Sequence, residues 1–343
     1  MADISAISPE LLRDRHRLSP QQINAILGSK VFKASVEEKA LMLRGIREFI
    51  LLSEAFQSAD IRFIPLKGPI LSYRLYGDVT YRHFRDFDIL IEKSSVDNAV
   101  KMLLAQGYNP DLVLWPSDIR RQNQLMKHGN QISFSHPERK VTVELHWRLL
   151  QASPYGNERL DNLVWSNLTN LDFAGRSFYV LSHELELLYL IIHGGLHYWR
   201  RLKWLADIDA IIIRNKIDGA KFSDLAEELK ANRMISLCRA VHSTYFPGTE
   251  VKFPWKSQAS GSLVVHSFKK IAEEEDIEHN TIGGIIRSRY HTLISFPGLA
   301  YKFRVIRNYM FVAEFYRGSG ILTRVPLFYF YSLFKLSFNR IKR

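Results

Sequence analysis

Arg85-Asp86-Phe87-Asp88-Ile89-Leu90-Ile91 alternates carboxylates with apolar side chains and then turns wholly apolar. That alternation has the period of a β-strand, on which residues two apart share a face. Asp86 and Asp88 therefore point one way, roughly 7 Å apart along the backbone, and Phe87, Ile89 and Ile91 point the other way, into a core. Two like charges at that spacing repel and need a counter-charge. A hard divalent cation suits them: Mg2+ is held by one or two carboxylates together with substrate phosphates. The pair reads as a candidate metal site, with ion pairs to Arg82 and Arg85 as the plainer alternative.

The flanking sequence supplies more of the same chemistry. Upstream, residues 62–66 read as a short strand, and Lys67-Gly68-Pro69 turns into a helix carrying Ile70, Leu71 and Leu75. Gly68 permits close backbone approach there, a helix N-terminus favours phosphate, and Lys67 adds a cation. Arg82 and Arg85 could grip phosphate oxygens in pairs. Downstream, Ser94-Ser95 is expected to cap a helix that stops at Gly107. Residues 131–135 and 140–147 then form an expected hairpin around His136-Pro137-Glu138-Arg139. In Val141-Thr142-Val143-Glu144-Leu145-His146-Trp147, Thr142, Glu144 and His146 share the face opposite the apolar one. A glutamate bracketed by core positions is costly unless paired or bound to metal. If this strand neighbours the first, Glu144 joins Asp86 and Asp88.

Beyond about residue 180 the apolar period becomes that of helices, expected at 183–198, 201–214, 221–232, 235–246 and 262–279. The expected organisation is a helical preface over 1–35, an α/β core over 36–165 and a mainly helical region over 166–343. His193 and His197, four apart, share a helix face. Gly194 stands where a zincin helix carries glutamate, so a zinc site is not expected. A structural or substrate-contacting role next to Asp207 fits better, with a core His193 bonded to Asp207 as the plainer reading. Gly194-Gly195 within a helix signals close packing or a ligand against that turn.

The 343 residues, 46% hydrophobic and 24% charged, suffice for one large or two modest folded domains. A formal charge of +12 favours an anionic partner. One cysteine, Cys238, excludes an intramolecular disulfide framework and a Cys-rich zinc module, and fits a reducing cytoplasm. No basic-then-apolar leader opens the sequence, and its longest apolar stretch, Val325 to Phe334, is about half a membrane span. The run Glu273-Glu274-Glu275-Asp276 reads as a solvated helix face. Leu327-Phe328-Tyr329-Phe330-Tyr331, followed by Lys335, Arg340, Lys342 and Arg343, reads as a terminal helix packed on the core, with contact to an anionic membrane as the alternative.

The order of strand, glycine turn, helix, Asp-x-Asp strand and later acidic strand resembles the nucleotidyltransferase superfamily of the DNA polymerase β type. Leu66-Lys67-Gly68, Leu75-Tyr76-Gly77-Asp78, Tyr81-Arg82, Arg85 to Ile91, Glu144-Leu145-His146-Trp147, the two histidines and Leu202-Lys203-Trp204-Leu205-Ala206-Asp207 closely resemble the bacterial nucleotidyltransferase family 5. The resemblance spans roughly residues 40–210. It implies a mixed-sheet α/β (α+β) core followed by an α-helical domain. It also implies metal-dependent transfer from a nucleoside triphosphate such as ATP, with Mg2+ as the ion and Mn2+ as its alternative. Asp86, Asp88 and Glu144 would then be the metal-binding and catalytic carboxylates, Lys67, Gly68, Arg82 and Arg85 the phosphate contacts. His146, His193, His197, Lys203 and Asp207 would lie on the acceptor side. The acceptor stays open among protein, peptide, glycan precursor, RNA and small molecule. Lys67-Gly68 departs from the superfamily's usual Gly-Ser or Gly-Gly turn. Two other readings share the residues: metal-dependent glycosyl transfer from a sugar nucleotide, and a non-catalytic nucleotide-binding or toxin–antitoxin-type module.

Overall fold

The computed structural model describes residues 4–111, 115–151, 157–251, 261–273 and 282–310. In it the acidic strand is part of a five-stranded mixed sheet. The strands are β1 (Phe63–Pro65), β2 (Asp86–Ile91), β3 (Asn109–Pro110), β4 (Gln131–His136) and β5 (Val141–His146), in spatial order β1-β2-β5-β4-β3. β2 and β5 run parallel, and the other neighbours are antiparallel. The register sets Asp88 opposite Glu144, Asp86 opposite Thr142 and Leu90 opposite His146, so these side chains share one face. On β4, Ser133 lies opposite Glu144 and Gln131 opposite His146.

The other face is the core that the alternation predicts. Phe87, Ile89, Ile91, Phe134, Val143 and Leu145 pack against Phe49, Leu52 and Phe56 of the helix Val36–Ser58 and against Val96, Val100 and Leu103 of the helix Val96–Ala105. The first of these helices starts at a capping box, with the Ser35 hydroxyl accepting from the Glu38 amide and the Glu38 carboxylate from the Ser35 amide. Ser95 gives no such cap: a short 3-10 turn, Lys93–Ser95, leads into the second helix instead.

A second core surrounds the helix His183–Leu196, whose residues Leu185 to Ile192 are buried on all sides. The helices Leu202–Arg214, Gly219–Glu228 and Asn232–Tyr245 enclose it. Ile4, Leu12, Leu18 and Ile23 of the N-terminal stretch join this core rather than forming one of their own. Between the two cores lies an antiparallel hairpin absent from the sequence reading, β6 (Leu168–Phe173) and β7 (Arg176–Leu181). Its turn, Ala174-Gly175, takes positive φ at both residues, the geometry of tight hairpins. Phe178 and Val180 of β7 insert into the sheet core. Among the described residues no helix is long and apolar enough to cross a membrane. The basic aromatic stretch 327–343, the apolar run Val325 to Phe334 and residues 274–276 of the acidic run lie outside the described residues.

The expected helix 183–198 ends at Leu196, because Tyr198 and Trp199 both take left-handed φ, 56° and 52°. This turn folds the Trp199 indole back onto Gly194. A Cβ on Gly194 would sit 2.2 Å from that buried ring, and one on Gly195 would sit 2.5 Å from the Met234 sulfur. The glycine pair therefore serves packing. Gly194→Ala is expected to destabilise the protein by about 1–3 kcal/mol in urea unfolding. Gly195→Ala meets only a flexible thioether and is expected to cost clearly less.

Candidate active site

Gly68, before the helix Pro69–Tyr76, has φ 76° and ψ −146°, a conformation open to glycine and costly for other residues. A Cβ there would make only ordinary contacts, so the backbone angle, not space, selects glycine. The turn aims Lys67 across the sheet. Its ammonium donates to Asp88 Oδ1 at 3.0 Å and lies 5.7 Å from the centre of the Tyr189 ring. Lys67 and Asp88 are 11% and 4% exposed, so this pair is out of bulk water. Burial opposes the lysine's charge, but the Asp88 and Asp86 carboxylates outweigh it and hold its pKa above the ordinary value. Despite burial, Lys67 and His146 hold the Asp88 carboxyl well below the usual range. Burial and the Asp88 charge push the half-buried Asp86 upward.

The parallel pair β2–β5 brings three donors together. His146 Nε2 lies 3.4 Å from Asp88 Oδ1 and 3.6 Å from Glu144 Oε2. Among the described residues, Asp88, Glu144 and His146 are the group whose ligand atoms lie within 4.8 Å of one another. His146 joins the two carboxylates in this group, and Asp86 lines the same cavity. Although close to both acids, neither nitrogen of the buried His146 ring has an aligned hydrogen bond among the described residues. Two carboxylates and a buried imidazole nitrogen without a hydrogen bond make a donor set that fits a divalent cation. Glu144 also accepts from Gln131 Nε2 at 2.8 Å.

These groups line one cavity of about 580 Å³. The opposite wall comes from the helical core: Tyr189 and His193 on the central helix, His197 just past its end, then Arg200, Arg201, Lys203 and Trp204. His193 does not bond Asp207. It is edge-on to Trp204, 5.3 Å between ring centres, and 4.7 Å from the His197 ring. Burial and the nearby Lys67 hold it well below its ordinary pKa. Asp207, wholly buried, is engaged by Arg82, whose Nε lies 2.8 and 2.9 Å from its two oxygens, and by the Tyr76 hydroxyl at 3.3 Å. Arg82 still lines the cavity, but its charge is committed to Asp207. Lys203 donates to the His83 carbonyl at 2.7 Å, and burial together with Arg82 pushes its pKa down to about 7.

The structure therefore gathers Lys67, Arg82, Asp86, Asp88, Glu144, His146, His193, His197 and Lys203 around one space. Gly68 shapes the turn beneath it. Asp207 supports the wall from behind, and Arg85 is exposed and not part of the lining. Gln131, Tyr189, Arg200 and Arg201 were not singled out by the sequence reading, and Trp204 entered it only as part of a motif with no role of its own. Gln131 alone left a local signal, since it opens a strand on the polar face of the hairpin. A family model described as an uncharacterised nucleotidyltransferase matches residues 11–247, a span that contains both walls described above. No curated protein and no solved structure matches the chain.

Proposed function

The chain belongs to this family of uncharacterised nucleotidyltransferases, and from that premise we propose that the cavity transfers a nucleotidyl group from a nucleoside triphosphate to an acceptor. The observation that carries this reading is the register of Asp88 with Glu144 across the parallel pair, with His146 Nε2 facing both. Asp88, Glu144 and His146, with Asp86 beside them, would hold a divalent cation. Carboxylates suit Mg2+ or Mn2+, and the imidazole favours Mn2+ of the two. Held by these residues, such an ion would supply charge neutralisation for a triphosphate and a lowered pKa for an acceptor hydroxyl.

The chain's own groups do the rest. In the transfer, an acceptor oxygen forms a bond to the α-phosphorus, the bond to the leaving pyrophosphate breaks, and the acceptor's proton is released. Asp86 and Glu144, flanking Asp88, are the carboxylates available to take that proton. Arg200, Arg201 and Lys203 put positive charge on the wall opposite the acids, where phosphates would be held between the two sides. Trp204 and the two histidines offer ring surfaces beside them for a base or acceptor.

The test is incubation of the full chain with ATP, CTP, GTP and UTP and either Mg2+ or Mn2+, following pyrophosphate. Release from at least one triphosphate is expected. Release of a nucleoside diphosphate from a sugar nucleotide instead would replace this reading with glycosyl transfer. Failure to bind any metal–nucleotide would point to a non-catalytic module.

Lys203 gives this reading a pH signature. Its folded pKa is lowered to about 7, so the ammonium is present below pH 7 and is lost as pH rises through it. Nucleotide affinity is expected to weaken between pH 6 and pH 8. Lys203→Arg, which keeps its charge, is expected to flatten that dependence in a titration of bound fluorescent nucleotide.

A further inference from the structure

Charge is distributed very unevenly along the chain. Residues 282–343 hold eleven of the 47 lysines and arginines but only one of the 35 acidic residues, Glu314. The preceding 281 residues are close to neutral, so nearly all of the net +12 belongs to this last stretch. The described part of it consists of two neighbouring helices, Ile282–Ser295 and Leu299–Met310.

The second helix is apolar on two faces. Tyr301 and Val305 are buried at i and i+4, with Asn308 continuing that face, and Phe296 packs against Tyr301. On the other side Leu299, Phe303 and Ile306, at i, i+4 and i+7, are 72%, 71% and 45% exposed. Lys302 and the exposed Arg307 flank that face. On the preceding helix Ile286 and Tyr290 are likewise exposed. A solvent-facing apolar stripe bordered by cations, at the start of the most basic part of the chain, is the pattern of a surface that lies on anionic lipid. Nucleic acid would also match the charge, but the aliphatic Leu299, Ile306 and Ile286 have no ring face to stack on a base.

We propose that the face formed by Leu299, Phe303 and Ile306, with its basic border, docks the protein on an anionic membrane surface. It lies in the interface without crossing, its apolar side chains entering the acyl boundary and its lysines and arginines meeting headgroup phosphates. The inference does not depend on the reaction proposed for the cavity, because it concerns different residues and a different partner.

The experiment is flotation of the full chain with phosphatidylcholine vesicles, with and without phosphatidylglycerol. Binding is expected only to the anionic vesicles and is expected to fall as salt is raised. The double variant Leu299→Asn with Phe303→Asn is expected to bind about 10–100-fold more weakly, from the apolar area withdrawn from lipid. Both side chains are exposed, so its melting temperature and cavity activity are expected to match those of the natural chain. Absence of binding to anionic vesicles, equal binding to zwitterionic ones, or undiminished binding by the double variant would each overturn the proposal. Competition by polyuridylate together with unchanged vesicle binding by the double variant would assign the charge to nucleic acid instead, and would also overturn it.

Discussion

Glu144→Gln is expected to slow pyrophosphate release at least ~100-fold, about 2.7 kcal/mol of transition-state stabilisation, while leaving thermal stability nearly unchanged. Both halves of that expectation follow from the surroundings of Glu144. Its side chain is 28% exposed and it accepts a hydrogen bond from Gln131, which can donate to an amide oxygen as well as to a carboxylate. The substitution therefore keeps size and hydrogen bonding and removes only the charge that faces His146 and Asp88. Asp88→Asn is a poorer probe. It would take from the buried Lys67 ammonium the carboxylate it is bonded to, so activity and folding would fall together. Steady-state kinetics beside a thermal melt of Glu144→Gln separates the two. Full activity in this variant would remove Glu144 from the chemistry.

Asp207→Ala is expected to cost about 3–5 kcal/mol of stability, read from urea unfolding. The carboxylate is wholly buried and the Arg82 side chain is 3% exposed. Truncating the acid leaves a guanidinium out of water with no opposite charge and removes an acceptor from the Tyr76 hydroxyl. Replacing both partners with apolar residues, Arg82→Met with Asp207→Leu, is expected to recover much of that loss, because no uncompensated charge remains. A cost below about 1 kcal/mol for Asp207→Ala would place the pair among exposed bridges that contribute little.

The parts of the fold legible in the sequence were those with a local period. β2 and β5 alternate cleanly, and the side chains that alternation assigns to each face are the ones found there. The central helices show in their apolar spacing to within a few residues. The hairpin β6–β7 did not show, because Thr169, Asn170 and Asp172 interrupt its apolar pattern and only Phe178 and Val180 anchor it. In the site, Asp88 and Glu144 were recognisable separately. Their adjacency depends on a parallel pairing between strands more than fifty residues apart, which no local pattern specifies. That pairing also sets His146, expected on the acceptor side, beside both carboxylates. The Arg82–Asp207 pair spans 125 residues and left no mark of its own, and the expected bond from His193 to Asp207 gives way to it.

That ion pair also governs how the molecule can move. The segment entering β2 is fastened to the helical wall twice, by Arg82 on Asp207 and by Lys203 on the His83 carbonyl. Two lobes that open and shut on a hinge need a weak, wettable seam between them. Here the seam contains a desolvated charge pair, so parting the two sides means breaking that pair and letting water onto both ions. The pair thus ties the two walls of the cavity together just before β2 begins.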